Sequence, residues 1–83
     1  LIAECLAEYE GGSEAALYTL GVAFSTGSHG VVCDLIEAHK WFNIAAVKGS
    51  QDAVRYRKEI SSEMTRSEIA DAQRAAREWL SLH

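Results

Sequence analysis

The sequence predicts an all-α domain of about five helices with no sheet. Its 83 residues are enough for one domain, and a hydrophobic content of 48% with 24% charged residues is typical of a globular protein. The chain has no proline and 13 alanines, a composition that favours uninterrupted helices over a turn-rich β fold. Apolar residues also recur at helical spacing along the whole chain, which supports the same fold class.

A pair of glycines separates the first two helices. Apolar residues at helical spacing begin at the first residue and stop before Gly11 and Gly12, which end the first helix. We expect Ser13 to cap the second helix, which runs from Glu14 to about Thr26. The apolar face of this helix is formed by Ala16, Leu17, Leu20 and Phe24.

The third helix follows a loop at Gly27–Gly30. Asp34 with Glu37 three residues later is typical of a capping box at a helix start. The helix runs through Lys48 and ends at Gly49. Its apolar stripe consists of Leu35, Ala38, Trp41, Phe42, Ala45 and Ala46.

Two further helices complete the chain. Ser50 begins a fourth helix that runs to about Glu63. Thr65 and Glu68 form a second capping box, which begins a fifth helix over residues 65–82. The apolar face of the fifth helix is formed by Ile69, Ala72, Ala76, Trp79 and Leu80. We expect this face to cap the open end of the helix array.

The chain repeats itself after a shift of 37 residues. Residues 12–13 and 49–50 are both Gly-Ser, and Ala16 aligns with Ala53. A period of this length with two helices per unit is typical of a short α-α superhelix, or α-solenoid. The expected parts are the end of a preceding unit (1–12), one complete repeat (13–49), a degenerate next repeat (50–63) and the C-terminal capping helix (65–82).

The complete repeat contains small, glycine and aromatic residues at regular intervals. These motif positions are Ala16, Leu20, Gly21, Phe24, Gly27, Gly30, Asp34, Ala38, Trp41, Phe42, Ala45, Ala46, Gly49 and Ala53. The pattern resembles the Sel1-like repeat, a relative of the tetratricopeptide repeat that is built from antiparallel helix pairs. The C-terminal segment resembles the extension that follows such repeats in bacterial proteins. The loop between Gly27 and Gly30 is one residue longer than the commonest form, and Phe24 and Phe42 stand where tyrosine is frequent.

Gly21 lies inside the second helix, where a glycine costs about 1 kcal/mol relative to alanine. We expect the compensation to be a close approach of the paired helix, because a Cβ at this position would collide with it. Gly27 and Gly30 permit the positive φ angles of a tight turn. We therefore interpret the motif residues as structural.

No group of residues matches a catalytic, cofactor or metal site. His29, Cys33 and His39 raise the question of zinc, but a structural zinc needs four ligands and the chain has no CxxC or HxxxH pair. The chain also lacks the GxSxG and SxxK patterns of nucleophilic catalysis. The Gly27–Gly30 loop lacks the lysine and the preceding strand of a phosphate-binding loop. The sequence predicts no catalytic residue, no cofactor, no metal and a chain that is not an enzyme.

The two cysteines, Cys5 and Cys33, do not form a disulfide framework. We expect two free, largely buried thiols, as in a cytoplasmic protein. No apolar run approaches the roughly 18 residues of a membrane span, so we expect no membrane insertion.

The net charge of −4 is unevenly distributed. Residues 1–39 contain six acidic and no basic side chains, whereas residues 40–83 contain eight basic and six acidic ones. An acidic chain lacks the basic surface that nucleic acids require. The asymmetry favours self-association from head to tail or a basic partner. The alternative interpretation is a solvated acidic surface.

The resemblance to the Sel1-like repeat implies a non-enzymatic adaptor that binds a protein or peptide partner, of a kind that the sequence does not identify. In this family the first helix of each pair tends to line the concave side. Tyr18, Val22, Arg55 and Glu59 lie on the outward faces of two such helices, and we expect them to contact a peptide. The alternative is simple solvent exposure, with a cation–π contact between Tyr18 and Arg55.

Two other functions remain open at this point. Some cysteine-rich relatives with Sel1-like repeats bind or hydrolyse β-lactams, but they have a cysteine pair in each repeat, which this chain lacks. The second alternative is that the chain is the structural end-piece of a longer solenoid.

Overall fold

Five helices and no strand make up the computed structural model, which describes residues 1–83. The helices are α1 (Ile2–Glu10), α2 (Ala15–Thr26), α3 (Leu35–Val47), α4 (Gln51–Ser61) and α5 (Arg66–Leu82). The prediction of an all-α fold with five helices and no sheet is confirmed.

Side-chain caps begin α3 and α5, but only α5 has the full capping box that its sequence predicts. At the start of α3 the Glu37 carboxylate accepts from Lys40 Nζ and Trp41 Nε1 instead of the Asp34 backbone N–H. One carboxylate oxygen of Asp34 accepts hydrogen bonds from the backbone N–H groups of Ile36 (3.0 Å) and Glu37 (3.2 Å). Thr65 and Glu68 form the reciprocal capping box, with distances of 2.8 and 3.1 Å. These bonds satisfy backbone donors that have no partner inside the helix.

The expected Ser13 cap is wrong. The helix begins at Ala15, so the N-cap position falls on Glu14, which makes no side-chain capping bond. Ser13 is therefore one residue too early, and its backbone N–H donates to the Glu8 carbonyl oxygen in the preceding turn (2.9 Å). At the equivalent position in the next turn, Ser50 does cap α4 by accepting from the Ala53 N–H (3.2 Å).

The turn between α1 and α2 has the same backbone geometry as the turn between α3 and α4. Gly12 and Gly49 both adopt a φ of 105°. Ser50 N–H donates to the Ala45 carbonyl oxygen (3.0 Å), which is the Ser13–Glu8 bond shifted by 37 residues. The positive φ at the glycine and the hydrogen bond closing the last helical turn are features of a Schellman-type helix end. The two turns, which lie 37 residues apart, therefore share one backbone geometry.

Helix α3 lies at the centre of the molecule and packs against α2, α4 and α5. The Phe42 ring of α3 is fully buried and lies against α2. A Cβ built on Gly21 would lie 2.5 Å from two carbon atoms of this ring, so the ring occupies the space that any side chain at Gly21 would need. This contact is the close helix approach that the sequence predicts at Gly21.

Helix α5 packs along α3 and makes no comparable contact with α4. The difference between α2 and α4 explains this placement. Leu17 is fully buried in α2, while Val54, its equivalent in α4, is 39% exposed. Lys58 takes the place of Gly21, and its long charged side chain prevents the close approach that Phe42 makes to α2. The face of α4 that would receive a helix partner is therefore unsuited to an apolar helix.

Candidate functional site

The expected partner surface is divided between half-buried and exposed residues. Tyr18 and Val22 on α2 are half-buried and pack against the core, whereas Arg55 and Glu59 on α4 are exposed. Tyr56 is the α4 residue whose ring lies against Tyr18, with 5.9 Å between ring centroids. The structure thus brings the two helices together at a pair of tyrosines.

The cation–π contact between Tyr18 and Arg55 that the alternative interpretation included is not formed. The guanidinium of Arg55 lies 5.7 Å from the centre of the Tyr56 ring. Its Nη2 donates a hydrogen bond to the Asp52 carboxylate at 2.8 Å. Arg55 points along its own helix because its i−3 and i+1 neighbours offer both an anion and an aromatic face.

Three aromatic rings from three helices form one cluster, which we call the tyrosine patch: Tyr18, Tyr56 and, beneath them, Phe42. The Phe42 and Tyr56 rings are stacked at 5.8 Å with an interplanar angle of 16°, and Tyr18 tilts against Phe42 at 5.8 Å. Phe42 is fully buried and Tyr56 is 36% exposed. Because Gly21 lets the Phe42 ring lie on α2, the small residue in α2 positions the patch.

Both polar and apolar groups are available in the tyrosine patch. Burial, and next the neighbouring Tyr56 phenol, raise the pKa of Tyr18 above its ordinary value. The Tyr18 phenol is therefore protonated at neutral pH and offers a hydroxyl together with an apolar ring.

Val22 and Glu59 are not tied to the patch by any hydrogen bond or ion pair. The Val22 carbonyl oxygen accepts from the hydroxyls of Ser25 and Thr26, both at 2.9 Å, which are contacts within α2. The Glu59 carboxylate makes no ion pair. The prediction that these two residues contact a partner stays a prediction.

Tyr56 is the member of the patch that the sequence analysis missed. Under the 37-residue shift it aligns with Thr19, an exposed residue of α2, and it lies outside the repeat motif. Only the presence of a large aromatic side chain on a degenerate, mostly polar helix marks the position. That signal is too weak to separate a surface tyrosine from a packed one.

A second aromatic cluster holds α5 against the rest of the fold. The Trp79 ring lies 5.8 Å from Tyr9 of α1 and 5.6 Å from Trp41 of α3, measured between centroids. The His83 ring stacks on the Trp79 ring, with 4.0 Å between ring centroids. The Trp41 Nε1 donates to the Glu37 carboxylate (3.2 Å), so the buried indole has its polar atom paired.

His39 is buried between α3 and α4, where only 2% of its surface is exposed. Its Nε2 lies 3.1 Å from the hydroxyl oxygen of Ser61, and that hydroxyl donates its proton to the Arg57 carbonyl oxygen (2.7 Å). Nε2 must therefore be the protonated nitrogen, which leaves Nδ1 as a buried acceptor without a partner. Burial, followed by the positive charge of Arg57, lowers the pKa of His39.

The residues that raised the question of a metal do not come together. Cys33 lies in the turn before α3, where its Sγ is 3.5 Å from the Ser25 carbonyl oxygen, while His39 is enclosed between two helices. No three histidine, cysteine or carboxylate side chains are placed to hold a metal ion, and no pocket opens on the surface.

The two thiols differ in exposure. Both are free, but Cys33 is exposed, so the expectation that both are largely buried is wrong for this residue. It lies in the connection to α3 rather than on a helix face. Cys5 is buried, and burial raises its pKa.

None of the five helices combines the length and the hydrophobicity that crossing a membrane would require. Comparison with known proteins finds no matching family model, no matching curated protein and no matching solved structure.

Proposed function

We propose that this chain is a Sel1-like repeat module that binds a protein or peptide partner through the tyrosine patch and catalyses no reaction. The observation that carries the proposal is the pair of tyrosine rings, Tyr18 and Tyr56, fixed on buried Phe42 at the junction of three helices. The proposal includes a cytoplasmic location, which two free cysteines support.

The resemblance to the repeat family is supported by the packing roles of its motif residues. Gly21 receives the Phe42 ring, and the motif alanines Ala16, Ala38 and Ala53 are buried in the helix contacts. The equal turns at Gly12 and Gly49 agree with a repeated unit of 37 residues.

The chemistry of the patch suits a peptide with an apolar side chain next to an acidic one. Tyrosines offer a large contact area with few rotatable bonds, and tyrosine and arginine are enriched among residues that dominate binding energy. Arg55 lies beside the Tyr56 ring with its side chain 64% exposed. Its guanidinium is therefore accessible to a partner carboxylate, in exchange for its present contact with Asp52.

A peptide selected from a random display library supplies the test. Affinity for the selected peptide is measured by titration calorimetry with the unmodified chain and with Tyr56→Ala and Arg55→Ala. We expect each variant to weaken binding about tenfold or more, which corresponds to about 1.4 kcal/mol.

Arg74→Ala is the matched control. Arg74 forms an ion pair with Asp71 at the same three-residue spacing and with similar exposure, but it lies on α5 away from the patch. We expect it to bind like the unmodified chain. Selection of no binding peptide, or equal affinity for all variants, would contradict the proposal.

A further inference from the structure

Three side-chain pairs form a row along the contact of α4 with α3: Tyr56 with Phe42, Arg57 with Asn43, and Ser61 with His39. We call this row the α3–α4 seam. The tyrosine patch lies at one end of the seam, and His39 lies at the other end. A change at His39 therefore acts on the same helix contact that positions Tyr56.

Few apolar side chains hold α4 to the rest of the fold. Only Ala53 and Ile60 of this helix are buried, whereas α2 has six buried residues. Helix α4 packs mainly against α3, and α5 is held separately by the contacts of Trp79 with α1 and α3. Opening of α4 therefore leaves the α2–α3 and α3–α5 contacts in place. Segments with few buried apolar contacts open at the lowest cost in free energy.

No anion is placed to balance a positive charge on His39. Arg57, across the seam on α4, is the charged group that acts on the imidazole, and it forms no ion pair within the chain. On α3, Glu37 pairs with Lys40 at 3.4 Å. Helix α2 contains no charged side chain, and no carboxylate of α5 forms an ion pair with His39. A proton on His39 therefore adds a buried cation next to the half-buried Arg57, without a counter-ion.

Protonation of His39 also leaves a donor without an acceptor. The protonated imidazole has an N–H group at both nitrogens. Nε2 faces the Ser61 hydroxyl, but Nδ1 has no hydrogen-bond partner in the buried site. An unpaired charged donor is costly in a protein interior, and opening of the seam to water removes this cost.

We propose that protonation of His39 releases α4 from α3 and so takes the tyrosine patch apart. In the closed state Tyr56 lies on Phe42 and faces Tyr18, and in the open state Tyr56 leaves with α4. The open state gains population as the pH falls below about 6.5, where an exposed histidine takes up a proton. Control of partner binding by pH follows from this opening and rests on the function proposed above, but the opening itself does not.

Amide hydrogen exchange of the full chain, measured by NMR at several urea concentrations, tests the opening. Between pH 7.5 and 5 we expect the opening equilibrium of the α4 amides, corrected for intrinsic exchange rates, to rise by up to about thirtyfold. These amides should open more often than those of α2 and depend less on urea, because a local opening exposes little surface. An opening equilibrium that does not change with pH, or α4 amides that open only together with α2, would overturn the proposal.

Three variants identify the groups responsible. His39→Gln cannot take up a proton, so we expect its rise in α4 opening to be lost. Arg57→Gln retains an amide donor for Asn43 but lacks the charge, and we expect a smaller rise than in the unmodified chain. Lys58→Gln is the matched control, because it removes an exposed cation one residue further along α4, and it should keep the full rise. A full rise in His39→Gln, or equal effects of Arg57→Gln and Lys58→Gln, would overturn the proposal.

The peptide selected for the tyrosine patch separates this inference from the proposed function. A ligand that binds only the closed state lowers the population of the open state by mass action. Saturating peptide at pH 5 should therefore return the α4 opening equilibrium towards its value at pH 7.5. A peptide that binds at pH 5 without reducing α4 opening would overturn the control of the patch by His39. If no peptide binds at pH 7.5, the proposed function fails, and the exchange results still decide whether His39 releases α4.

Discussion

Single residues decide how closely the helices approach one another. Gly21 costs α2 some helical stability, and the Phe42 ring fills the space that a side chain would occupy. This role was predictable because a glycine in the apolar stripe of a helix needs a packing reason. The contact of Tyr56 with Tyr18 was not predictable, because it depends on the rotation of α4 about its axis.

Replacing Gly21 with leucine tests the close approach. A Cβ at 2.5 Å from the Phe42 ring forces the ring or the helix to move, and overpacking of this kind costs about 1–3 kcal/mol or more. We expect Gly21→Leu to lower the free energy of unfolding, measured by urea denaturation, by at least this amount.

Thr19→Leu is the control for this substitution, because Thr19 is an exposed residue of the same helix. We expect a change within about 0.5 kcal/mol. A Gly21→Leu variant as stable as the unmodified chain would show that the two helices are not in close contact.

His39 makes stability depend on pH. Its pKa is lowered in the folded state, so the folded protein binds a proton less readily than the unfolded chain, whose histidine titrates near 6.5. The contribution of His39 to stability is therefore constant at higher pH and falls as the pH decreases below about 6.5, until the pH passes below the folded pKa. The physical reason is that burial, and next the positive charge of Arg57, disfavour the protonated ring, and its Nδ1 has no hydrogen-bond partner in the buried site.

The measurement is urea denaturation of the unmodified chain and of His39→Gln between pH 7.5 and 5. We expect the loss of stability over this range to be smaller in His39→Gln. His29→Gln, at an exposed position, should retain the full loss. Identical pH dependence in all three proteins would rule out His39 as the cause.

At the scale of the helices, the sequence predicts which segments are helical better than it predicts how each helix begins. Two turns share the same Gly-Ser pair and the same backbone geometry, yet only Ser50 caps its helix. The difference is that α2 begins one residue later relative to its serine. Helix propensities do not determine the first residue of a helix to within one position, because helix ends vary by one or two residues.

The two serines form a natural pair of variants. Ser50→Ala removes the acceptor for the Ala53 N–H, and we expect a loss of about 1 kcal/mol in the free energy of unfolding. Ser13→Ala removes no side-chain capping bond, so we expect a change of less than about 0.5 kcal/mol. Thermal and urea denaturation measure both, and equal losses would contradict the assigned helix starts.

The packing of Trp79 determines the position of α5 more than the loop that joins α5 to α4 does. Trp79 contacts Tyr9 and Trp41, so it joins α5 to two other helices. The apolar face of α5 was predictable from its spacing, but the helix against which it packs was not. The reason is that α4 offers Lys58 where an apolar partner would need a small residue.

Trp79→Ala is expected to release α5. Loss of a half-buried indole should cost about 2–3 kcal/mol, less than for a fully buried one. Hydrogen exchange of the α5 backbone amides should then become faster, while exchange in α2 changes less. Uniformly faster exchange in all helices would contradict an independent release of α5.

At the scale of the whole molecule, composition and periodicity were enough to predict the fold class. The absence of proline, the alanine content, apolar stripes in four segments and the Ser50 start of the fourth helix lead to five helices and no strand. The partner surface was predictable only in part, because it is made by the meeting of α2, α3 and α4.

Helices α2 and α3 pack backbone against ring at Gly21, and the rest of the fold depends on this contact. Nuclear Overhauser contacts between the α-protons of Gly21 and the ring protons of Phe42 measure it. We expect strong contacts, together with an upfield shift of one Gly21 α-proton caused by the ring. Absence of these contacts in the folded chain, with an unshifted glycine signal, would show that the Phe42 ring does not lie on α2.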